Sequence, residues 1–174
     1  MHHQDTPPLD PWVDAACEAL GQNPHLTDTT ELLELAGQVA TAGLRPMAPV
    51  SAYLWGWALA EGRDRELARR VILDALPAEP LPEESREDPR CWQAFVAQSC
   101  GGLGLDPAEV PVDELPHLAR AVAHASVRPM APVAAFLLGL GGPAGLSSRF
   151  DIVLAAVQSA SEEPTGNRQP QVAS

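Results

Sequence analysis

Arg45-Pro46-Met47-Ala48-Pro49-Val50 stands in the first half of the chain, and the same six residues return, unchanged, at positions 128–133. The similarity extends well beyond this block. Residues 13–56 align with residues 96–139 at a constant offset and without gaps, and 21 of these 44 positions are identical. Unrelated segments share far fewer residues. The chain therefore carries one structural unit twice, and each copy is expected to fold in the same way.

Four helices are predicted in each half. In the first half, Leu32 and Leu35 belong to an apolar series at helical spacing. Asp28, followed three residues later by Glu31, predicts a capping box at the start of this helix. The next segment, residues 46–60, is apolar on nearly every side, which is typical of a helix that is buried on most of its surface.

The last helix of each half is amphipathic. In the first half it is predicted over residues 64–76, with Leu67 facing inward and Arg65 outward. In the second half, Ser147 or Ser148 is expected to cap the corresponding helix. No stretch alternates with period two, so no sheet is predicted. The sequence thus predicts an all-α fold, an internally duplicated helical bundle of two four-helix units related by a pseudo-twofold axis.

Composition marks the boundaries of the two units. The first helical repeat is assigned to residues 8–76 and the second to residues 88–159. Between them, residues 77–87 hold three prolines and four glutamates, a composition typical of a solvated linker. Residues 1–7 and 160–174 are polar or contain proline, and we expect them to be disordered tails.

The overall composition excludes several classes of function. The 174 residues carry a formal net charge of −12, which argues against nucleic-acid binding because that activity needs a basic surface. All 11 basic residues are arginine, so a Schiff-base lysine and a phosphate-loop lysine are both excluded. The chain shows no signal peptide, and its three cysteines form no CxxC pair. These features predict a cytoplasmic protein with reduced thiols.

The two arginines of the repeated block, Arg45 and Arg128, allow two interpretations. Each precedes a proline, which ends the preceding helix, so each guanidinium is placed to satisfy free carbonyl groups at that helix end. In the other interpretation, an arginine beside the N-terminus of the third helix makes an anion-binding site. Two such sites would then be related by the repeat.

The remaining candidate ligand- or partner-binding residues lie in or next to the third helix of each half. Trp55 and Trp57 are expected to pack in the core, but an exposed indole there would mark an interface or a ligand pocket. Met47 and Met130 occupy equivalent places in the repeated block and are candidates for the same surface.

Residue types that carry catalysis are present without the patterns of a catalytic site. Cys17 and Cys100 are equivalent in the repeat and occupy apolar helical positions, where a cysteine packs as a small hydrophobic residue. His117 and His124 lie seven residues apart, whereas metal-binding pairs on helices usually lie four apart. We therefore predict no catalytic residue, no metal site and no cofactor, and we do not favour an enzyme.

The repeated pattern resembles a known family. Each copy begins with an acidic residue and proline, continues through Leu-Gly and Leu-x-x-Leu-Ala-x-x-Val-Ala, and closes with Arg-Pro-x-Ala-Pro, an aromatic residue and Leu-x-Gly. Over residues 9–62 and 88–145 it is similar to a small uncharacterised helical domain of high-GC bacteria, often appended to molybdenum cofactor guanylyltransferase. The nucleotide-binding loop of that enzyme has no counterpart here. The resemblance therefore implies an association with molybdenum-cofactor maturation, without nucleotidyl transfer.

These observations favour a non-catalytic helical adaptor that binds a protein partner, and the resemblance implies a cofactor-maturation enzyme as that partner. The alternative is a protein or enzyme that binds an anionic small molecule in a pocket between the two halves, lined by the candidate residues above. A third hypothesis is a regulatory protein that sequesters a basic partner through its negative charge. Neither nucleic acid nor a membrane is expected as a partner.

Overall fold

The computed structural model describes residues 11–125 and 130–162. Within these ranges the chain forms eight α-helices and contains no β-strand, so the all-α prediction is confirmed. The first half contributes four helices and the second half repeats their order. The helices are α1 (Pro11–Leu20), α2 (Thr29–Thr41), α3 (Ala48–Ala60), α4 (Arg65–Asp74), α5 (Pro89–Leu103), α6 (Glu114–Ala125), α7 (Ala131–Leu140) and α8 (Leu146–Glu162).

One hydrophobic core joins the two halves. At its centre, α3 crosses α7, and every residue from 48 to 58 and from 131 to 139 is buried. The halves pack reciprocally around this pair. Helix α1 of the first half packs on α8 of the second, and α5 of the second packs on α4 of the first; α2 contacts α7 as α6 contacts α3. This exchange of equivalent contacts is the pseudo-twofold relationship that the repeat predicts.

Two equivalent glycines allow the backbones of α3 and α7 to lie close together in the core. A Cβ atom on Gly56 would collide with the carbonyl oxygen of Phe136 in α7. A Cβ atom on Gly139 would collide with the carbonyl oxygen of Tyr53 in α3 and lie 3.0 Å from the amide nitrogen of Trp57. Because Tyr53 and Phe136 are themselves equivalent in the repeat, the pseudo-twofold axis passes through this crossing. Only glycine lets two helix backbones approach so closely.

The start of α2 departs in part from the predicted capping box. The Asp28 carboxylate accepts a hydrogen bond from the Glu31 amide at 3.1 Å, as a helix cap should. The Glu31 carboxylate does not return to the Asp28 amide. It accepts from the Arg65 guanidinium at 2.8 Å instead, because a charged donor is the stronger partner. The reciprocal half of the capping-box prediction is therefore wrong.

Two predictions about the last helix of each half are also wrong. Leu67 is 56% exposed, because α4 turns Ala68 and Ile72 toward the core instead. Helix α8 begins at Leu146, so Ser147 and Ser148 lie inside the helix rather than at its cap. It continues to Glu162, so residues 160–162 are helical rather than part of a tail. The other predicted tail residues lie outside the described ranges.

The segment between the repeats, residues 77–87, is largely exposed but is fixed at its centre. The Leu81 amide donates a hydrogen bond to the carbonyl oxygen of Ala42 at 3.0 Å. A Cβ atom on Gly43 would lie 2.9 Å from the Leu81 Cβ, so the two backbones are in close contact. Beyond Leu81, residues 83–85 form one exposed 3-10 turn that leads to α5.

The longest uncharged stretch of the sequence is residues 129–148, and its described part, residues 130–148, contributes to two helices. Helix α7 ends at Leu140, and α8 begins at Leu146. Within the described residues, no helix combines the length and the apolar character needed to cross a membrane.

Candidate functional site

In the first half, the repeated block forms the turn that leads into α3. Residues 45–47 make a 3-10 turn, closed by the Met47 amide, which donates to the carbonyl oxygen of Leu44 at 2.8 Å. Pro49 occupies the first turn of α3, where a missing N–H has no structural cost. Met47 is fully buried, whereas Arg45 is exposed. The arginine is thus the residue of this block that faces solvent.

Arg45 does not cap the end of α2. The backbone already satisfies the carbonyl groups there: the Leu44 amide donates to Val39 at 3.1 Å, and the Leu81 amide donates to Ala42 at 3.0 Å. Within the described part of the chain, the Arg45 guanidinium makes no hydrogen bond and no ion pair, so the carbonyl-capping interpretation is wrong for this residue. Its counterpart Arg128 lies outside the described residues.

Arg45 lines a cleft of about 510 Å³ between the end of α2 and the segment that joins the repeats. Its charged lining is mixed, with Arg45 and Arg86 contributing guanidinium groups and Glu83 and Glu87 contributing carboxylates. The Arg86 Nε donates to the carbonyl oxygen of Leu81 at 3.2 Å, which holds this wall of the cleft together. The uncharged lining residues are Ala40, Thr41, Gly43 and Pro46.

A second cleft, of about 490 Å³, continues along the outer face of α2. The two clefts share Thr41, and we refer to them together as the α2 groove. Gly37 lies on its floor, and nothing lies within 4 Å of a Cβ atom placed there, so the groove is open at this point. Glu34 stands at the far end, 3.4 Å from the Arg69 guanidinium. The other lining residues of this cleft are Gln38, Ala42, Pro77, Ala78 and Pro80.

The other candidate residues of the sequence analysis lie in the core and not in this groove. Met47 and Trp55 are fully buried, Trp57 is 4% exposed and Met130 is 7% exposed. The expectation that the two tryptophans pack in the core is confirmed. The pocket between the halves, predicted as the alternative ligand site, consequently has no exposed indole to line it.

Arg65 has a structural role that sequence reasoning missed. Its guanidinium lies 4.6 Å from the centroid of the Trp55 ring and donates to the Glu31 carboxylate and to the carbonyl oxygen of Leu26. The Trp55 indole N–H donates in turn to the backbone oxygen of Arg65 at 3.1 Å. Arg65 thus ties α4 to α2 across the tryptophan. The amphipathic spacing of α4 predicted that Arg65 lies on the outer face. That spacing does not show how far a long side chain reaches back toward a neighbouring helix, so it missed this role.

The nucleophilic side chains of the core are held in their protonated form. Burial raises the pKa of the Cys17 thiol, and it raises the pKa of Cys100 to about 11. Burial also raises the pKa of Tyr53 to about 12. A buried thiol with a raised pKa is a poor nucleophile, which supports the packing interpretation of the two equivalent cysteines.

The described residues contain no cluster of three or more histidine, cysteine or acidic side chains able to hold a metal ion. His117 and His124 are both exposed on α6. Neither of them lines the α2 groove.

A protein-family model matches this chain twice. It is described as "Domain of unknown function (DUF6457)", and it covers residues 4–79 and again residues 87–169. The chain belongs to this family. Two consecutive DUF6457 domains account for the internal repeat. Searches among curated proteins and among solved structures gave no match.

The two domain matches show where the α2 groove lies. Its floor belongs to the first DUF6457 domain, and part of its outer wall, from Pro80 to Arg86, belongs to the segment between the domains. Glu87, at the start of the second match, completes that wall. The groove in this form is therefore a product of joining two domains in one chain.

Proposed function

We propose that this protein is a non-catalytic helical adaptor, and that it binds a segment of a protein partner in the α2 groove with Arg45 as the anchor. One observation carries the proposal: Arg45 belongs to the block that is repeated unchanged, yet its guanidinium has no partner among the described residues. Pro46, Met47 and Pro49 of the same block all have a structural role in the turn or in the core.

The charges of the groove favour a protein segment over a small anion. A compact anion next to Arg45 would meet the carboxylates of Glu83 and Glu87 as well as the guanidinium of Arg86. A peptide can present an acidic side chain to Arg45 and a basic side chain to the two glutamates at once. Such a pattern of complementary charges provides specificity and register more than raw affinity.

The shape of the groove supports the same occupant. Gly37, Ala42 and Ala78 are small, and the rings of Pro77 and Pro80 line the same cleft. Small side chains let a partner backbone approach α2 closely, and apolar side chains of the partner can bury themselves against the prolines. An exposed arginine at the edge of such a surface is a residue type that is enriched at binding hot spots.

The identity of the partner is proposed from the resemblance. Because the repeated unit resembles a domain appended to molybdenum cofactor guanylyltransferase, we propose a cytoplasmic enzyme of molybdenum-cofactor maturation as the partner. The net charge of −12 supports a protein partner rather than a nucleic acid, and it would speed the approach of a basic one.

A photo-crosslinking residue at Thr41, where the two clefts meet, tests the proposal in cells of the native host. The expected product is one crosslinked protein whose attachment site maps to a single segment. A synthetic peptide of that segment then gives a dissociation constant. Arg45→Ala is expected to weaken it about 30-fold, as for a residue worth roughly 2 kcal/mol. Gly37→Gln, which fills the groove floor without touching the core, is expected to weaken it as well.

Matched controls separate the groove from general effects. Arg70→Ala removes the same charge from an exposed position of α4, and Gly101→Gln makes the same exchange at an open position of α5. Both controls are expected to bind like the wild type. Equal binding by Arg45→Ala and Arg70→Ala would contradict the proposal.

The small-molecule alternative has its own readout. The Trp92 indole donates to the backbone oxygen of Arg86, in the wall of the groove, at 3.0 Å. The tryptophan fluorescence of the chain, to which Trp92 contributes together with three other tryptophans, is therefore expected to change when a ligand binds at that wall. A saturable response to a pterin or a nucleotide that is lost in Arg45→Ala would favour the alternative over the adaptor.

A further inference from the structure

The interface between the two halves has the organisation of a homodimer interface. Gly56 of α3 lies against the backbone of Phe136, and Gly139 of α7 lies against the backbone of Tyr53, at equivalent positions of the repeat. The outer helices follow the same rule, since α1 packs on α8 and α5 packs on α4. In a twofold interface, the same surface patch occurs on both subunits and meets itself. Here both patches are carried by one chain.

The central helix of each half packs mainly on the other half. Within the first half, α3 touches α2 and α4, but its most extensive contact is with α7 of the second half. Every residue from 48 to 58 is buried in the complete chain, and α7 is the main neighbour of this helix. A half without its partner would expose an apolar helix, and exposed patches of this kind mark interaction surfaces.

Buried residues of the central helices and of the turns before them are preserved between the two copies. Met47, Val50, Ala52 and Leu54 of the first half are matched by identical residues at 130, 133, 135 and 137. The central glycine is shared as well. The aromatic residues at the crossing differ, since Tyr53, Trp55 and Trp57 correspond to Phe136, Leu138 and Leu140, so the two faces are similar in position and differ in the size of their side chains.

We propose that the surface buried between the halves is a docking surface for a second copy of this domain, and that the peptide link between the halves is not required for their association. The two halves of one chain hold together as separate polypeptides and pair with the corresponding halves of other chains. The partner is thus another domain of the same pattern, which meets this one through its third helix and central glycine. This proposal is independent of the function proposed for the α2 groove.

The segment between the halves offers a place to test this. The turn at Glu83–Ser85 follows the anchoring contact of Leu81, and both glutamates are exposed. A protease recognition sequence inserted between Glu84 and Ser85 allows the folded full-length chain to be cut into its two halves. The uncut insertion variant serves as the control for folding.

The cut protein is prepared in normal and in nitrogen-15-labelled form. The two samples are unfolded in denaturant, mixed in equal amounts, refolded by dialysis and weighed by native mass spectrometry. We expect complexes with the mass of one first half and one second half, in which hybrid species equal the two pure species combined. Circular dichroism of the mixture is expected to match that of the uncut variant.

Two results would overturn the proposal. In one, the cut protein separates into two folded monomers under native conditions, which would mean that each half is complete alone. In the other, only the uncut variant refolds and the cut halves give no complex, which would mean that the link itself is needed for association.

Discussion

Gly139→Ala adds one methyl group at the crossing of α3 and α7. The new Cβ would lie 2.9 Å from the carbonyl carbon of Tyr53 and 3.0 Å from the amide nitrogen of Trp57, and closer still to the Tyr53 oxygen. Cβ atoms essentially never lie within 3.0 Å of other heavy atoms. The obstructing atoms belong to a helix backbone and cannot rotate away. The collision is relieved only if the two central helices move apart.

The expected change in stability is a difference between two opposing terms. Overpacking of a core costs roughly 1–3 kcal/mol and sometimes more, whereas alanine is favoured over glycine within a helix by roughly 1 kcal/mol. Because the strain involves two backbones, the upper part of the first range applies. We expect the free energy of unfolding to fall by about 1–2 kcal/mol, which corresponds to a decrease in Tm of roughly 2–8 °C for a protein of this size.

Urea titration followed by circular dichroism measures this change. Gly101→Ala is the matched control, since it makes the same exchange in α5 at a position with nothing within 4 Å of the added Cβ. The control is expected to be unchanged or slightly more stable. If Gly139→Ala proves as stable as Gly101→Ala, then the close crossing of α3 and α7 does not limit the packing and the reasoning is wrong.

Three further predictions concern titratable groups. With a thiol reagent at pH 8, we expect the native protein to react at the half-buried Cys91 and to spare Cys17 and Cys100, whose pKa values are raised by burial; rapid labelling of all three without denaturant would contradict this. Tyr53 is the only tyrosine of the chain, so the ultraviolet absorbance of tyrosinate reports on it alone. Because burial raises its pKa to about 12 from 10.0, its contribution to stability is complete below pH 10 and is lost as the pH rises toward 12, and a native titration near pH 10 would refute the burial. Hydrogen bonds from Arg90 lower the pKa of Asp88, the N-cap of α5, so its contribution to stability is present above its ordinary pKa of 3.8 and is lost as the pH falls through the lowered value. Asp88→Asn keeps the cap acceptor and is expected to lose less stability than the wild type on acidification, which acid unfolding curves of the two proteins would show or disprove.

The periodic spacing of apolar residues predicted much of this fold, because a helix that buries one face carries apolar residues at regular intervals in the sequence. The apolar character of residues 46–60 on all sides correctly indicated that this helix lies at the centre of the core. The spacing of apolar residues does not show which other helix packs against that face. The packing of α1 on α8, in the other half, therefore had to come from the structure.

The candidate site was predicted only in part, for a related reason. Arg45 stood out because its block is repeated, and the structure leaves its guanidinium exposed. The rest of the α2 groove comes from polar and small residues such as Gly37 and Thr41, together with a segment rich in proline and glutamate. Such residues have no periodicity that distinguishes a groove from ordinary surface. Trp55 was a candidate because large aromatic residues occur at interfaces, but the same property also suits the core, and here it lies in the core.

The packing of α1 on α8 also affects how the protein is made. Roughly 130 residues separate the end of α1 from the start of α8, and a ribosome adds about 5–20 residues per second. The first half therefore waits roughly 6–26 s for the helices that complete it. During that time α3 has left the ribosome without α7 to cover it. The nascent first half, rather than the finished protein, is then the form in greatest need of a chaperone.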